Sequence, residues 1–412
     1  MRAFRIHYVE ETRPSVTSVT FPSMPPAVPQ PVPSAPPAAG LTTNAAPTSL
    51  TVRSLAPDLA RGAMLLLIAL ANAPWYLWGA ENRSLSHHPV GASSIDQVLQ
   101  TIMLVAVDAR SYPMFAALFG YGIWQLYSRQ IAAGVDVKVA RGLLRRRHWW
   151  MLAFGAVHAL LLWAGDVVGA YGLAGVFLVW VFLDRKDRTL RIWIIVLTAL
   201  IAVAGVFSLL GAYATHASGV EVEGGGFAVD AGTGEPNYLV SMGIRISAWL
   251  IATPAQAFFT FTIPIAILVG ILAARRRVLE EHARHLPLLR RTAVVGIAVG
   301  WFGGAVVAAQ NLDLIGLPAS FDWGFIYLQA STGLFCGVGY VALFGLIAAR
   351  LAERRGRVTW ALQAVGKRSL TSYVAQSVIM APLLSAWGFG LGGSLTTWGV
   401  AWVAVGTRRI TI

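Results

Sequence analysis

The sequence has one cysteine, Cys336, and is poor in acidic residues: 19 Asp and Glu stand against 32 Lys and Arg, and charged residues of both signs make up only 12% of the chain. A single cysteine excludes an intrachain disulfide framework, and its place between Phe335 and Gly337 in an apolar run makes it a small packing residue rather than a nucleophile. A soluble domain carries about 25% charged residues, so half that density leaves too little polar surface to coat a water-facing particle. There is no Walker loop, no dinucleotide fingerprint after a strand and no His/Cys cluster at zinc spacing, so neither a metal nor a bound cofactor is expected. The net charge of +13 falls in short clusters between apolar runs, without the aromatic platform of a nucleic-acid module; nucleic acid is excluded as a partner.

What the chain does have is 56% apolar residues, 15 tryptophans and a mean hydropathy of +0.62. Apolar runs near 20 residues each match a bilayer core of about 30 Å, and unbroken runs of that length exclude a membrane β-barrel. The expected fold class is all-α: a polytopic helical membrane protein whose principal partner is the lipid bilayer. Ten spans are predicted: 59–78, 113–127, 149–164, 167–183, 192–213, 255–274, 293–309, 325–349, 369–387 and 395–405. Two shorter stretches, 95–109 and 238–251, read as interfacial or re-entrant helices. Residues 1–57 hold 11 of the 20 prolines and read as a disordered tail, leaving 58–412 as the membrane domain. The tenth span is short and ends in GTRRITI, so an incomplete C-terminal helix is expected.

The cations orient this arrangement. With both termini in the cytoplasm, the inner segments collect 29 Lys and Arg, among them Arg129, Lys138, Arg141, Arg145, Arg146, Arg147, Arg354, Arg355, Arg408 and Arg409. Only Arg83, Arg110 and Arg245 remain outside, beside an acidic loop with Glu221, Glu223, Asp230 and Glu235. That bias predicts a multi-pass membrane protein with both ends in the cytoplasm.

Against this background a few polar residues stand out. Asp58 and Arg61 share a helix face at the start of the first span, and Asn72 lies three turns deeper. In the third span, Arg147 and His158 are 11 residues apart, about 16.5 Å of rise and about 20° past three full turns, so they share a face. An ionisable His held within the membrane marks a function by default, and Asp166 follows eight residues later at the turn into the next span. A carboxylate that orients an imidazole is the minimum for general-base chemistry; a histidine satisfied by helix packing is the structural alternative. Asp108 and Arg110 form an outer cap or line a substrate mouth. Ser369, Ser372, Tyr373 and Gln376 make a polar stripe, and His87 and His88 read as solvated loop residues.

Taken in order, PDLARGAMLLLIALANAPW, RSYPMFAALFGYG, HALLLWAGDVVGAYGLAG and GKRSLTSYVAQSVI resemble the YeiB-like bacterial membrane proteins, the domain of unknown function 418. The resemblance runs over about residues 55 to 400, with Asp58, Arg61, Arg110, His158, Gly165, Asp166, Tyr373 and Gln376 at its polar positions. The chain departs from the pattern in its Pro-rich tail, in Lys367 where Arg is usual, and in lacking a basic amphipathic C-terminal helix. The family is distantly similar to transmembrane acyltransferases such as the heparan-α-glucosaminide acetyltransferases and the acyltransferase-3 enzymes, whose basic residue, ten residues and His match Arg147 and His158. That similarity implies acyl-CoA as co-substrate, Arg147 as its phosphate clamp and His158 with Asp166 as the catalytic pair. Asp58, Arg61, Asn72, Arg110, Tyr373 and Gln376 would then shape the substrate cavity. A small molecule or glycan would be the acceptor, and the protein could work as a homodimer. Two other readings stay open: a transporter or exporter of a small or lipid-linked molecule, and a structural membrane component.

Overall fold

A computed structural model describes residues 55–82, 87–219, 232–351 and 356–411, without the side chains of 408–411. The expected tail therefore lies outside the described residues, up to Arg53 and Ser54. So do Arg83, Arg354 and Arg355, the acidic residues Glu221, Glu223 and Asp230, and the side chains of Arg408 and Arg409. The described chain is helical: α1 Leu55–Asn72, α2 Ser94–Ala106, α3 Ser111–Ala132, α4 Val137–Leu161, α5 Val168–Phe182, α6 Asp187–Ala217 and α7 Tyr238–Pro254 are followed by α8 Thr262–Arg275, α9 Leu286–Asn311, α10 Ile326–Leu351, α11 Arg357–Lys367, α12 Ser369–Leu384 and α13 Thr397–Thr411. Among the described residues the β-structure is one isolated bridge, Asn82 to Pro89.

The protein is a polytopic helical membrane protein. Among the described residues, six helical runs are long and apolar enough to cross a bilayer: Leu55–Tyr76, Ser94–Ala132, Asp187–Ala217, Tyr238–Phe259, His282–Asn311 and Ala319–Leu351. The apolar helices α5, α8 and α12 are shorter, and the first half of α4 carries Lys138, Arg141 and Arg145 to Arg147, which confines its apolar part to Trp149 onward. The count of ten crossings therefore stays an expectation resting on the distribution of cations.

Two expected boundaries are corrected. The predicted span 255–274 is not one helix: Ala255–Phe259 forms a π-helical turn that continues α7, and Phe261, at φ 56°, separates it from α8. Pro254 supplies no N–H to the ladder, which opens the turn, and Pro264 suits the first turn of the next helix. Consequently the stretch read as interfacial, 238–251, belongs to a 22-residue apolar run. The other stretch, 95–109, likewise falls within a run long enough to cross, Ser94–Ala132, which a break at Ala109, φ 57°, divides into α2 and α3.

Small residues let the helices approach backbone to backbone, the usual device where lipid is as apolar as the interface. A methyl at Gly62 would overlap the Leu362 carbonyl, and one at Gly366 the Asp58 carbonyl, so α1 and α11 lock together from both sides. Gly120 and Gly270 do the same for α3 and α8, and Gly296 and Gly300 seat α10 against α9. Cys336, fully buried against Gly300, is the packing residue the sequence predicts. Polar groups tie α2 to α13: Asp96, itself bound by the Ser93 cap, accepts from Trp398 N at 2.7 Å, and Gln100 donates to Thr397 Oγ1 at 3.1 Å.

Candidate functional site

Helix α4 carries the centre of the site on one row. It starts at the Asp136 cap, whose side chain accepts from Lys138 N at 2.8 Å, and runs 25 residues to Leu161. Positions 147, 151, 154 and 158 fall on one face. Arg147, Met151 and Phe154 line a cavity of 1440 Å³, and His158 lies at the end of their row. Beyond it, the amides of Leu162 and Trp163 both donate to the His158 carbonyl, which turns the chain tightly enough to bring Asp166 back onto the imidazole.

His158 Nδ1 donates to Asp166 Oδ1 at 2.9 Å, and both residues are buried, His158 at 3% exposure and Asp166 at 0%. That bond selects the tautomer with hydrogen on Nδ1 and leaves Nε2 with a lone pair. Nε2 is buried and has no hydrogen-bond partner among the described residues. The carboxylate is fixed from three further sides. Oδ2 accepts from Gly169 N at 2.7 Å in the manner of an N-cap for α5, and from Trp249 Nε1 at 3.4 Å; the Tyr373 hydroxyl lies 3.5 Å from Oδ1. A buried carboxylate is tolerable only when its lone pairs are satisfied in this way. Glycines clear the space: a methyl at Gly155 would overlap Asp166 Oδ2, and one at Gly169 would meet the Trp249 ring.

Tyr373 belongs to both the dyad and the cavity. Its ring centroid is 5.4 Å from that of His158, its hydroxyl accepts from Val167 N at 3.3 Å, and it lines the cavity wall. At the other end the cavity is basic: seven Lys and Arg line it, including Arg61, Arg129, Arg147 and Lys367, against the carboxylates of Asp58 and Glu280. Glu280 is held by the Tyr121 hydroxyl and the Gln125 amide, and Asp58 sits 3.4 Å from Arg61. Arg147 is exposed to the cavity and near enough to Arg61 for their charges to repel. The site thus joins a concentration of positive charge to a buried imidazole along one helix face.

The structure gathers Asp58, Arg61, Arg147 and Tyr373 around the cavity, with His158 and Asp166 against its inner end. Gln376, one turn from Tyr373, donates to the Leu65 carbonyl at 3.0 Å and ties α12 to α1. Gln376 is not in the cavity lining, and two further predicted residues lie elsewhere. Arg110 is fully buried at the bend before α3, donating to the Asp108 carbonyl and to Gly300 O at 2.7 Å; Asn72 ends α1 and, like Arg110, is not part of the cavity lining. His87 and His88 correct the reading of a solvated pair. His88 is fully buried, with Nε2 2.9 Å from Asp108 Oδ2, and His87 stacks on Trp75 at 3.5 Å between centroids. Burial in that outer loop, reinforced by the neighbouring His88 and opposed by Asp108, pushes the His87 pKa down to about 4.

Sequence reasoning missed Trp249 and the role of Arg245. Arg245, counted only as an outside cation, is buried and donates to Leu160 O at 3.0 Å, with its guanidinium over the rings of Tyr238 and Trp387. It thereby caps the end of α4 just after His158. The signal was their spacing: 245 and 249 share a face of α7, one pointing at the α4 terminus and the other at Asp166.

This architecture defines a helical membrane protein with a polar dyad beside a basic cavity. Comparison with known proteins shows what the chain resembles. The model of the family described as protein of unknown function (DUF418) matches residues 273–411. The chain is 26% identical over 322 residues to the uncharacterized protein YxaH of Bacillus subtilis, covering 74% of this chain and 73% of that one. It is 26% identical over 295 residues to the uncharacterized protein YeiB of Escherichia coli, covering 66% of this chain and 67% of that one. An uncharacterized 39.9 kDa protein of Bacillus acidopullulyticus is 24% identical over 295 residues, 70% of this chain and 69% of its own. The chain is thus similar to the YeiB-like proteins, and its C-terminal third matches the DUF418 family model. No solved structure matches it.

Proposed function

We propose that the protein transfers an acyl group from a cytoplasmic acyl-CoA to a hydroxyl or amine acceptor, in the inner membrane of a bacterium. The observation that carries this reading is the continuity of the cavity: cations, Arg147 among them, at one end and Tyr373, in contact with the His158–Asp166 pair, at the other. Arginine suits the phosphates of coenzyme A, and the extended pantetheine arm matches the roughly 16.5 Å of rise between Arg147 and His158.

In this reading His158 Nε2 removes the proton from the acceptor as its oxygen or nitrogen bonds to the thioester carbonyl carbon. The carbon–sulfur bond then breaks, and the thiolate leaves with the proton returned from His158. Asp166 holds the ring in the required tautomer and stabilises the transient imidazolium. Tyr373 stands between cavity and imidazole, and a rotation of its ring admits the thioester; Asp58 and Arg61 set the entrance.

The test is thermal stabilisation of the detergent-purified protein by acetyl-CoA, wild type beside Arg147→Ala and His158→Ala. Saturable stabilisation, lost in the Arg147 variant and kept in the His158 variant, supports the assignment. Three well-folded proteins that show no shift at millimolar ligand overturn it.

A further inference from the structure

The groove between α4 and α5 is a second built site, next to the cavity and sharing part of its wall. It encloses 890 Å³. Its residues on α4, from Gly142 to Ala153, extend along about 16 Å of helix. The groove changes character along that length. At one end stand Arg145 and Arg146 with Trp149 and Trp180; at the other, Ala153, Leu173, Phe177 and Phe258 form an apolar channel. Phe258 comes from the π-helical turn after α7, and its ring meets that of Phe177 edge to face at 5.6 Å.

The charge at the polar end is specific to these two arginines. Arg141, one turn earlier, is neutralised by Asp184 at 2.7 Å and donates to the Trp180 carbonyl. Arg147, one residue on, faces the inner cavity. Arg145 and Arg146 are exposed and have no acidic partner among the described residues. Beside them Trp149 and Trp150 are 55% and 70% exposed, as amphipathic rings are at the level of lipid headgroups. Adjacent cations flanked by exposed tryptophans, beside an apolar wall, complement one ligand chemistry: a phosphate joined to an acyl chain.

We propose that this groove binds an anionic glycerophospholipid, its phosphate between Arg145 and Arg146 and one acyl chain along Ala153, Phe177 and Phe258. Arg146, Trp150 and Ala153 line both the groove and the inner cavity, so the bound lipid forms part of the cavity's outer wall.

The experiment is tryptophan quenching of the detergent-purified chain by dibrominated phosphatidylglycerol, set against dibrominated phosphatidylcholine at equal mole fraction. The expected result is stronger quenching by phosphatidylglycerol. The excess should vanish in the Arg145→Gln/Arg146→Gln variant and persist in Arg141→Gln, whose arginine is paired with Asp184. Soluble glycerophosphate should leave it unchanged, because the chain supplies much of the affinity. Equal quenching by the two lipids, or an excess that survives the double substitution in a folded protein, overturns the proposal. Displacement by glycerophosphate alone also overturns it, since the groove would then be a phosphate site without a lipid.

Discussion

Two histidine–carboxylate pairs in this protein are alike in bond length and unlike in setting. His158 meets Asp166, and His88 meets Asp108, each at 2.9 Å, and each imidazole is buried. His158 bonds through Nδ1 and keeps Nε2 beside Tyr373, which lines a basic cavity; His88 bonds through Nε2 in an outer loop closed by the Trp75–His87 stack. A short bond to a carboxylate therefore does not distinguish a chemical site from a structural one. What separates the pairs is which nitrogen meets the carboxylate and whether a ligand-sized space lies beside the ring.

The comparison is broken most severely by truncating each histidine. His158→Ala should lower acyl transfer per folded molecule by about 10²–10⁴-fold, the usual worth of a positioned general base, and should also lower the thermal midpoint, because Asp166 loses a partner. His88→Ala should lower the midpoint alone, because Asp108 loses its partner while transfer per folded molecule stays near wild type. Equal loss of transfer in both variants, with both proteins folded, would remove the distinction.

Arg147→Ala comes next. Loss of a charge-assisted contact to phosphate should weaken acyl-CoA binding roughly tenfold to hundredfold, about 1.5–3 kcal/mol, and appear in KM rather than kcat. A smaller effect is expected of Gly155→Ala, whose new methyl would meet both Asp166 Oδ2 and the Gly169 backbone and lower kcat by roughly tenfold, along with the midpoint, with acyl-CoA affinity unchanged. Gly366→Ala, which places the same methyl against the Asp58 carbonyl, should cost about 1–3 kcal/mol of stability through the α1–α11 contact without that loss of kcat per folded molecule; kcat tells the two glycines apart.

The mildest effect concerns pH. The folded pKa of His87, about 4, lies below its ordinary 6.5, so between those values the unfolded chain binds the proton that the folded loop refuses. Stability from this group is complete above pH 6.5 and declines as pH falls toward 4. His87→Phe, which keeps the stack on Trp75, should flatten the fall in thermal midpoint across that window. An unchanged pH profile would show that the loop opens without reference to His87.

The His158–Asp166 pair could be read from the sequence because it is local. Eight residues separate His158 from Asp166, so one helix end and one turn suffice to join them, and helical periodicity alone places Arg147 on the row of His158. His88 and Asp108 lie 20 residues apart across α2, and their pairing depends on where that helix packs, which composition does not encode. Polar loop residues also look solvated in a sequence when a tryptophan buries them in the fold. The break at Phe261 was hidden for a related reason: apolar residues continue through it, and hydropathy does not register a backbone that leaves the helix. Trp249 resembled any other lipid-facing aromatic until Gly169 was seen to admit its ring to Asp166.

The most direct test of the central claim is access to the cavity. A Ser369→Cys substitution in a Cys336→Ala background puts a single thiol on the cavity wall, and a matched His88→Cys puts one in the outer pair. The account predicts that a negatively charged thiol reagent labels position 369 readily, that acyl-CoA slows the labelling in proportion to its occupancy, and that position 88 stays unreactive in the folded protein. Labelling at 369 that acyl-CoA leaves unchanged at saturating concentration, or faster labelling at 88 than at 369, would contradict it.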